Sequence, residues 1–341
     1  MLAEQSLWVV SLVGIAALAT LVLSSNEAVK KLVGIASYFH LSSTFMGMTV
    51  ISLATSIPEI TSHITASVNI LTGSLDYETG SAIVLGANIG SDVVQQTLVM
   101  GLVVLLAGGM YFRRYFLWKS MVPMIATTLM CIVLGLDGVY GRVDGAILFG
   151  SFIAYSYYLY KDERKHYKEE DNVHESEEIA ENVPKNIKEV IIDVLISFAM
   201  IGLTIVAAAV VLQLTELLVD RTGVSGSLIG VVTLGLASAL PELTTAIAGI
   251  GNKEHGVSLG ALVGSNITNP LVAIGGGALV STYWVPRPLV VWDLPWETIT
   301  GAILWAILWF SGGKLKKGHA VYLIILYFFY IFARAYFFAV D

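Results

Sequence analysis

The chain has 341 residues, of which 56% are hydrophobic and only 13% are charged. A soluble domain carries about a quarter of charged residues, so most of this protein's surface is expected to face lipid rather than water. The formal net charge of -7 comes mainly from one hydrophilic stretch and gives no support to a nucleic-acid-binding protein.

Ten apolar segments follow one another along the chain. Nearly all approach the length of about 20 residues that a helix needs to cross the hydrocarbon core. Because backbone groups in lipid must bond within their own segment, we predict helices, and the alternation of a barrel strand is absent. In the ninth segment, Asp293, Pro295 and Glu297 make the start look interfacial. The predicted spans are residues 7–23, 43–72, 80–108, 116–136, 143–160, 190–215, 225–251, 257–281, 296–313 and 318–339.

Lysine and arginine predict the orientation of these spans. With the N-terminus outside, 15 of the 19 basic residues fall in inside connections and 4 fall outside, as the positive-inside rule requires. Loss of one span would break this alternation, so the count also favours ten spans. The four outside residues are Arg142, Arg221, Arg287 and Arg334.

Residues 161–188 form the one substantial hydrophilic segment, with nine acidic residues and the histidines His166 and His174. Such a composition is typical of a disordered, solvated linker. A regulatory cation-binding loop is the alternative interpretation. The linker interpretation divides the chain into a half at 1–160, a cytoplasmic linker at 161–188, and a half at 189–341.

Two blocks of sequence recur in both halves. GMTVISLATSIPE at 47–59 matches GVVTLGLASALPE at 230–242, with an offset of 183, and LGANIGSDVVQ at 85–95 matches LGALVGSNITN at 259–269, with an offset of 174. The copies lie on predicted helices 2 and 3 and on helices 7 and 8. Corresponding helices are five spans apart, and an odd number places the copies in opposite orientations. We therefore predict two inverted-topology five-helix repeats in an all-α membrane protein, with a site between them near the midplane.

Each copy places a glutamate directly after a proline in mid-membrane. An ionisable side chain at that depth costs about 2.5–3.5 kcal/mol and usually faces a partner or a watery path. The proline removes a backbone donor, which frees carbonyls one turn earlier. For one copy alone, a kinked helix with a hydrogen-bonded glutamate would explain the pattern equally well. Its recurrence at the crossing point of an inverted repeat favours a cation site.

Carboxylate, hydroxyl, amide and carbonyl oxygens are the ligands that calcium and sodium prefer. No sulfur or imidazole joins the predicted set, which argues against zinc or copper. The glycines of the second block allow close helix packing and bring polar residues to the same centre. The predicted ligands are Ala54, Thr55, Ser56, Glu59, Ser91, Gln95, Ala237, Ser238, Glu242, Ser265 and Asn269.

The paired blocks LATSIPEI…GANIGSDVVQ and LASALPEL…GALVGSNITN resemble the two alpha repeats of the cation/calcium exchanger superfamily, especially its sodium/calcium branch. The resemblance implies alternating access around a central site, and it implies that the hydroxyl, amide and carboxylate residues of the predicted set are ligands. Family members commonly have serine at the position of Ala239, and asparagine or aspartate at those of Gln95 and Asn269. The resemblance also implies a prokaryotic plasma membrane, no cofactor, and a monomer that suffices for transport.

Two ionised glutamates give the predicted site a charge of -2, which one calcium ion or two sodium ions would neutralise. We therefore predict competition for one site and electroneutral two-for-one exchange. Asp92 lies about 100° around the helix from Ser91, so it is not counted as a central ligand.

Several alternatives stay open on the sequence alone. A proton/calcium exchanger would use the same site, and a cation channel or sensor would show uncoupled flux or binding. His63, four residues after Glu59, is either a proton relay or a packed residue. An enzyme is not expected: the stretch 223–226 fits the pattern around a rhomboid protease serine, but Ser225 there is better explained as a helix cap. No phosphate-binding loop is present, so ion gradients are the predicted driving force.

Overall fold

A computed structural model describes residues 7–38, 46–112, 114–166, 183–251 and 255–341. Helical residues in these ranges group into ten rods, which we number α1 to α10. Four are continuous, and six combine several helical pieces. The rods are α1 (Leu7–Tyr38), α2 (46–72), α3 (77–106), α4 (114–134), α5 (Arg142–His166), α6 (Ile187–Thr222), α7 (226–251), α8 (255–281), α9 (289–310) and α10 (Lys317–Phe337).

The two rods that carry the repeated Pro-Glu pair, α2 and α7, are broken at equivalent places. In α2 a π-helical turn, Met46–Ile51, leads into Ser52–Thr55, and after Ser56 the rod continues as Ile57–Thr72. In α7 the helix Gly226–Ile229 and the π-helical turn Gly230–Leu234 lead into Gly235–Ser238, and after Ala239 the rod continues as Leu240–Gly251. Since each break comes two residues before a proline, the missing proline N–H explains both.

The other compound rods also contain π-helical turns at matching positions. These turns are Gln95–Val99 in α3 and Asn269–Ile274 in α8, and Leu117–Met121 in α4 and Leu289–Asp293 in α9. The flanking helices are Tyr77–Val94 and Met100–Leu106 in α3, and His255–Thr268 and Gly275–Ser281 in α8. In α4 they are Arg114–Phe116 and Val122–Leu134, and in α9 the turn is followed by Leu294–Phe310. π-Helical turns occur often at functional sites. The turns of α3 and α8 begin at Gln95 and Asn269, which are two predicted ligands.

Four short strands within the described ranges tie the connections together. They are β1 (Met110–Tyr111), β2 (Val139–Tyr140), β3 (Tyr283–Trp284) and β4 (Lys314–Leu315). β1 pairs antiparallel with β4, and β2 pairs antiparallel with β3. The α3–α4 connection therefore lies beside the α9–α10 connection, and the α4–α5 connection lies beside the α8–α9 connection.

The core surrounds α3, whose residues from Gly80 to Val94 are all buried. α3 packs against α7 and α2 packs against α8, while α1 and α6 pack along each other at the edge. Large apolar side chains on those two edge helices are exposed, among them Trp8 at 83% and Phe198 at 70%. Exposed apolar surface of this extent is typical of helices that face lipid.

Six helices in the described part of the chain are long and apolar enough to cross a membrane. The chain is therefore a mostly helical, multi-pass membrane protein, and ten spans stay a prediction. Most of the predicted linker lies outside the described residues. The six helices are Trp8–Leu32, Tyr77–Leu106, Leu117–Leu134, Ile187–Thr222, Gly226–Ile247 and Lys317–Phe337.

The acidic residues at the start of the ninth segment are enclosed by the protein, which the sequence did not predict. Asp293 and Glu297 are 0% and 2% exposed, and Asp293 forms a salt bridge of 2.9 Å with Arg334, which is itself fully buried. The sequence assigns Arg334 to an outside position because it lies near the end of the chain. Its partner lies 41 residues away, so the local sequence could not reveal the pair.

Candidate cation-binding site

The second sequence block brings α3 and α8 against the broken rods by glycine contacts. A Cβ added at Gly90 of α3 would lie 2.7 Å from the Cα of Val231 in α7, and one added at Gly264 of α8 would lie 2.8 Å from the Cβ of Ser52 and 3.3 Å from the Cα of Met48 in α2. Met48 and Val231 are equivalent positions of the repeat. The same close approach is thus built twice, and it packs α3 and α8 each against the broken rod of the opposite half.

Glu59 begins the second half of α2 and is 3% exposed. Its Oε1 accepts a hydrogen bond of 2.8 Å from the hydroxyl of Ser91, which in turn accepts one of 3.1 Å from the side-chain amide of Gln95. The hydroxyl of Ser238, from the other half of the chain, also lies beside Glu59. Both halves therefore supply polar groups to this carboxylate.

Glu242 has the equivalent surroundings in α7 and is fully buried. The hydroxyls of Ser265, from its own half, and Thr55, from the other half, lie beside its carboxylate, and the charge of Glu59 is close enough to act on it. Thr55 and Ser265 are themselves 3.2 Å apart. The two glutamates thus meet in one buried region, each flanked by a serine of its own half and a hydroxyl of the opposite half.

A chain of amide side chains extends from Glu59 across α3 and α8. Gln95 accepts a hydrogen bond of 3.0 Å from Asn266, which accepts one of 2.9 Å from Gln96. Asn269 donates a hydrogen bond of 2.7 Å to Asp92 Oδ1. These bonds join the two halves and fix the orientation of the amides that surround the carboxylates.

Several buried oxygens at this centre have no hydrogen-bond partner among the described residues. A buried polar atom without a partner costs free energy, so a native protein keeps such atoms where something else binds them. Because the group includes three carboxylate oxygens, a cation is the occupant that fits. The atoms are Ser56 Oγ, Glu59 Oε2, Asn88 Oδ1, Glu242 Oε1, Glu242 Oε2 and Asn269 Oδ1.

The breaks change the hydrogen bonding of the two carbonyl groups that the sequence predicts as ligands. Backbone N–H groups at the breaks donate to the carbonyls of Ala54 and Ala237, so neither carbonyl is freed in the way that the proline alone would predict. Each carbonyl oxygen has a second lone pair. The remaining predicted residues lie in or beside the buried region, and Asn269 and Gln95 lie on its α3–α8 side.

Sequence reasoning missed two asparagines, Asn88 and Asn266. Asn88 is 1% exposed and donates a hydrogen bond of 3.3 Å to the carbonyl of Asn269. Asn266 is equivalent to Asp92 in the repeat, and this equivalence was the available indication that both positions face the other half. Asp92, which the sequence left out of the ligand set, contacts Asn269 directly and is close enough for the charges of both glutamates to act on it.

A cavity between α1, α2, α3 and α7 reaches this centre. Glu59 and Ser238 line it together with His63, Asn88 and Ser62. The walls are otherwise apolar, with leucines of α1 and α7 among them. An imidazole therefore lies near the site after all, although not among the residues that the sequence grouped as ligands.

A family of known proteins matches most of this chain. The model of the family described as "Sodium/calcium exchanger protein" matches residues 9–161 and 192–336. The uncharacterized membrane protein MJ0091 of Methanocaldococcus jannaschii is 28% identical over 271 residues, which cover 79% of this chain and 78% of that protein.

Two groups of solved exchangers share the fold. The H+/Ca2+ exchanger CAX superposes with a TM-score of 0.77 at 16% identity, covering 95% of this chain and 82% of that one. The sodium-calcium exchanger NCX_Mj superposes with a TM-score of 0.63 at 21% identity, covering 96% and 99%. At these identities the structural similarity supports the fold alone. It does not distinguish sodium from protons as the coupling ion.

Proposed function

Because the chain belongs to the sodium/calcium exchanger protein family and is therefore a membrane antiporter for cation/calcium exchange, we propose that it exchanges calcium, or a related divalent cation, for sodium. The exchange would proceed by alternating access around one buried site, and Glu59 and Glu242 would supply its charge. Hydroxyl, amide and carbonyl oxygens of the surrounding residues would complete the ligand set. Calcium and sodium are transported substrates in this proposal, and no cofactor is involved.

This proposal rests on two symmetry-related glutamates that lie in one buried region. Three of their four carboxylate oxygens accept no hydrogen bond from the described residues, although both side chains are at least 97% buried. A buried charge without a partner is strongly disfavoured. A bound cation supplies the missing partner, and the surrounding oxygens suit calcium and sodium, which both accept many oxygen ligands in irregular geometry.

The strand pairs support ten spans arranged as two inverted five-helix repeats. Connections that form a sheet must lie on the same side of the membrane. With ten spans and the N-terminus outside, the α3–α4 and α9–α10 connections are both cytoplasmic, and the α4–α5 and α8–α9 connections are both external. The pairings of β1 with β4 and of β2 with β3 satisfy both requirements. We assign residues 1–160 and 189–341 to the two repeats, with the 161–188 linker in the cytoplasm and the protein in the plasma membrane.

In this orientation the cavity beside Glu59 would lie on the outer side of the central site. Its lining comes from α2 at and after the Pro-Glu pair, from α3 before Ser91 and from α7 before its break, and these parts lie in the outer half of each proposed span. On the opposite side, the residue equivalent to His63 is Ala246, which is fully buried, and its carbonyl accepts a hydrogen bond from Ser258. We infer that this cavity lies on the external approach to the site.

Uptake of radiolabelled calcium into proteoliposomes tests the proposal. We expect uptake to be driven by an outward sodium gradient at constant pH and to disappear when potassium or choline replaces sodium. Uptake that follows an imposed pH gradient with sodium absent would instead support the proton-coupled alternative, which the fold of the H+/Ca2+ exchanger CAX keeps open. Calcium flux without any counter-ion would identify a channel and contradict exchange.

A further inference from the structure

His63 lies one helical turn after Glu59 and lines the same cavity. Residues four apart on a helix lie on one face, about 5–6 Å apart at their Cβ atoms, so both side chains can reach one ion. The imidazole is 1% exposed, and its Nε2 has no hydrogen-bond partner among the described residues. Glu59 Oε2 and Asn88 Oδ1 are likewise buried and without a partner there. One nitrogen and two oxygens with free acceptor capacity therefore line one cavity.

The surroundings of the ring can accept a proton carried on Nδ1. His63 Nδ1 lies 3.1 Å from the hydroxyl of Tyr283, and that hydroxyl lies 3.0 Å from the His63 carbonyl and 2.7 Å from the hydroxyl of Ser67. Tyr283 has one proton to donate. If it donates to the carbonyl, it can accept from Nδ1–H, while the single proton of Ser67 is shared between Tyr283 and the carbonyl of Gly277.

In the opposite tautomer Nε2 carries the proton and Tyr283 donates to Nδ1. The backbone of Val84 also acts on the ring, and no group of the described residues meets the hydrogen-bond geometry at Nε2. Metal binding through Nε2 would require the tautomer with the proton on Nδ1, in which Tyr283 accepts from the ring and donates to the His63 carbonyl. A histidine that binds a metal through one nitrogen usually donates its other N–H to an acceptor in this way.

We propose that His63 Nε2, the Glu59 carboxylate and Asn88 Oδ1 form a binding site for a divalent transition-metal cation in the cavity that leads to the central site. An imidazole nitrogen favours zinc, cobalt, nickel or copper over calcium, which takes oxygen ligands. Water would complete the coordination. Because Glu59 belongs to both sites, a metal held there would block calcium exchange, and this consequence rests on the proposed function.

Cobalt is a suitable probe, since its visible absorption bands report a bound nitrogen ligand. We expect the purified full-length protein to bind Co2+ and the metal to inhibit calcium uptake. His63→Gln should lower Co2+ affinity by about tenfold or more, and Tyr283→Phe, which removes the acceptor for Nδ1–H, should lower it by about tenfold. Neither change should alter the sodium dependence of calcium uptake.

Ser62→Ala is the matched control, because Ser62 lines the same cavity without offering nitrogen. Wild-type Co2+ affinity in His63→Gln, or an equal loss in Ser62→Ala, would overturn the proposal. If Co2+ binding depended on His63 but the wild-type protein exchanged no calcium, the metal site would stand and the proposed function would fall. The two inferences can thus fail separately.

Discussion

At the scale of single residues, the repeated glutamates were predictable because each follows a proline in an apolar segment and the pattern occurs twice. Their flanking hydroxyls, Ser91 and Ser265, were predictable from the second block for the same reason. Asn88 was not, since its contact with Asn269 joins residues that are 181 positions apart. For Asn266, whose contact with Gln95 joins residues 171 positions apart, the equivalence with Asp92 in the repeat was the available indication.

The first prediction concerns the two glutamates. Glu59→Gln or Glu242→Gln should remove one of the two charges that hold the cation. Breaking a buried charge pair costs about 3–5 kcal/mol, which corresponds to a loss of calcium affinity of more than about a hundredfold. We expect sodium-driven uptake of radiolabelled calcium to vanish at low calcium concentration.

Glu78→Gln is the control for this prediction. Glu78 is an exposed residue in the first turn of α3, where the same chemical change should leave uptake unaltered. Full exchange in either buried variant would show that the cation is held elsewhere.

At the scale of elements, the broken rods were predictable and the π-helical turns were not. A proline marks a break because it lacks a backbone N–H donor. A π-helical turn, which accommodates one extra residue, is not marked by any particular type of residue. The positions of the helices followed from the apolar runs, but their ends did not: α1 extends to Tyr38, well beyond the predicted 7–23. The glycines of α3 and α8 proved to determine how closely the rods approach.

The second prediction tests that close approach. In Gly90→Ala or Gly264→Ala, the new methyl group would meet the backbone or Cβ of the neighbouring rod at under 3 Å. Overpacking of this kind costs about 1–3 kcal/mol, so we expect a lower thermal unfolding temperature in detergent and weaker calcium binding. Gly276→Ala, also in α8, is the control, because its Cβ would meet no described atom within 4 Å.

Alanine favours a helix over glycine by up to about 1 kcal/mol, so the control should be as stable as the natural protein or slightly more stable. If Gly90→Ala behaved like Gly276→Ala, the contact between α3 and α7 would be looser than the structure indicates.

The third prediction concerns the buried ion pair between α9 and α10. Arg334→Met leaves the carboxylate of Asp293 buried without its cation, at a cost of about 3–5 kcal/mol. We expect a clear fall in the unfolding temperature, measured by tryptophan fluorescence, since Trp292 and Trp296 lie beside the pair and stack on each other. Adding Asp293→Asn should restore part of the lost stability, because position 293 then carries no unpaired charge.

Arg142→Met, at an exposed position at the start of α5, is the control for the loss of an arginine. A double variant that is no more stable than Arg334→Met alone would show that the pair contributes through packing rather than charge.

At the scale of the whole molecule, the internal repeat and the basic residues predicted more than any single segment. They predict the number of spans, the orientation and the place of the site, and the proposed topology combines these predictions with the observed strand pairs. The burial of the acidic residues of α9 was not predictable, because their environment is set by α10 and α4: Thr128 of α4 donates a hydrogen bond of 2.9 Å to Glu297. Apolar runs identify membrane segments, but only the packed structure shows which charges are enclosed between them.

The last prediction follows from the charge enclosed at the centre of the molecule. Glu59 Oε2 and both oxygens of Glu242 accept no hydrogen bond from the described part of the chain, whereas Asp92 Oδ1 accepts one from Asn269. We therefore expect the two glutamates to hold the transported ions and to balance either one calcium ion or two sodium ions. Sodium-driven calcium flux into sealed vesicles should then carry little current, and Asp92→Asn should leave the coupling ratio unchanged. A large sodium-dependent current in the natural protein that Asp92→Asn diminishes would mean that Asp92 is a third charged ligand, and that exchange moves net charge across the membrane.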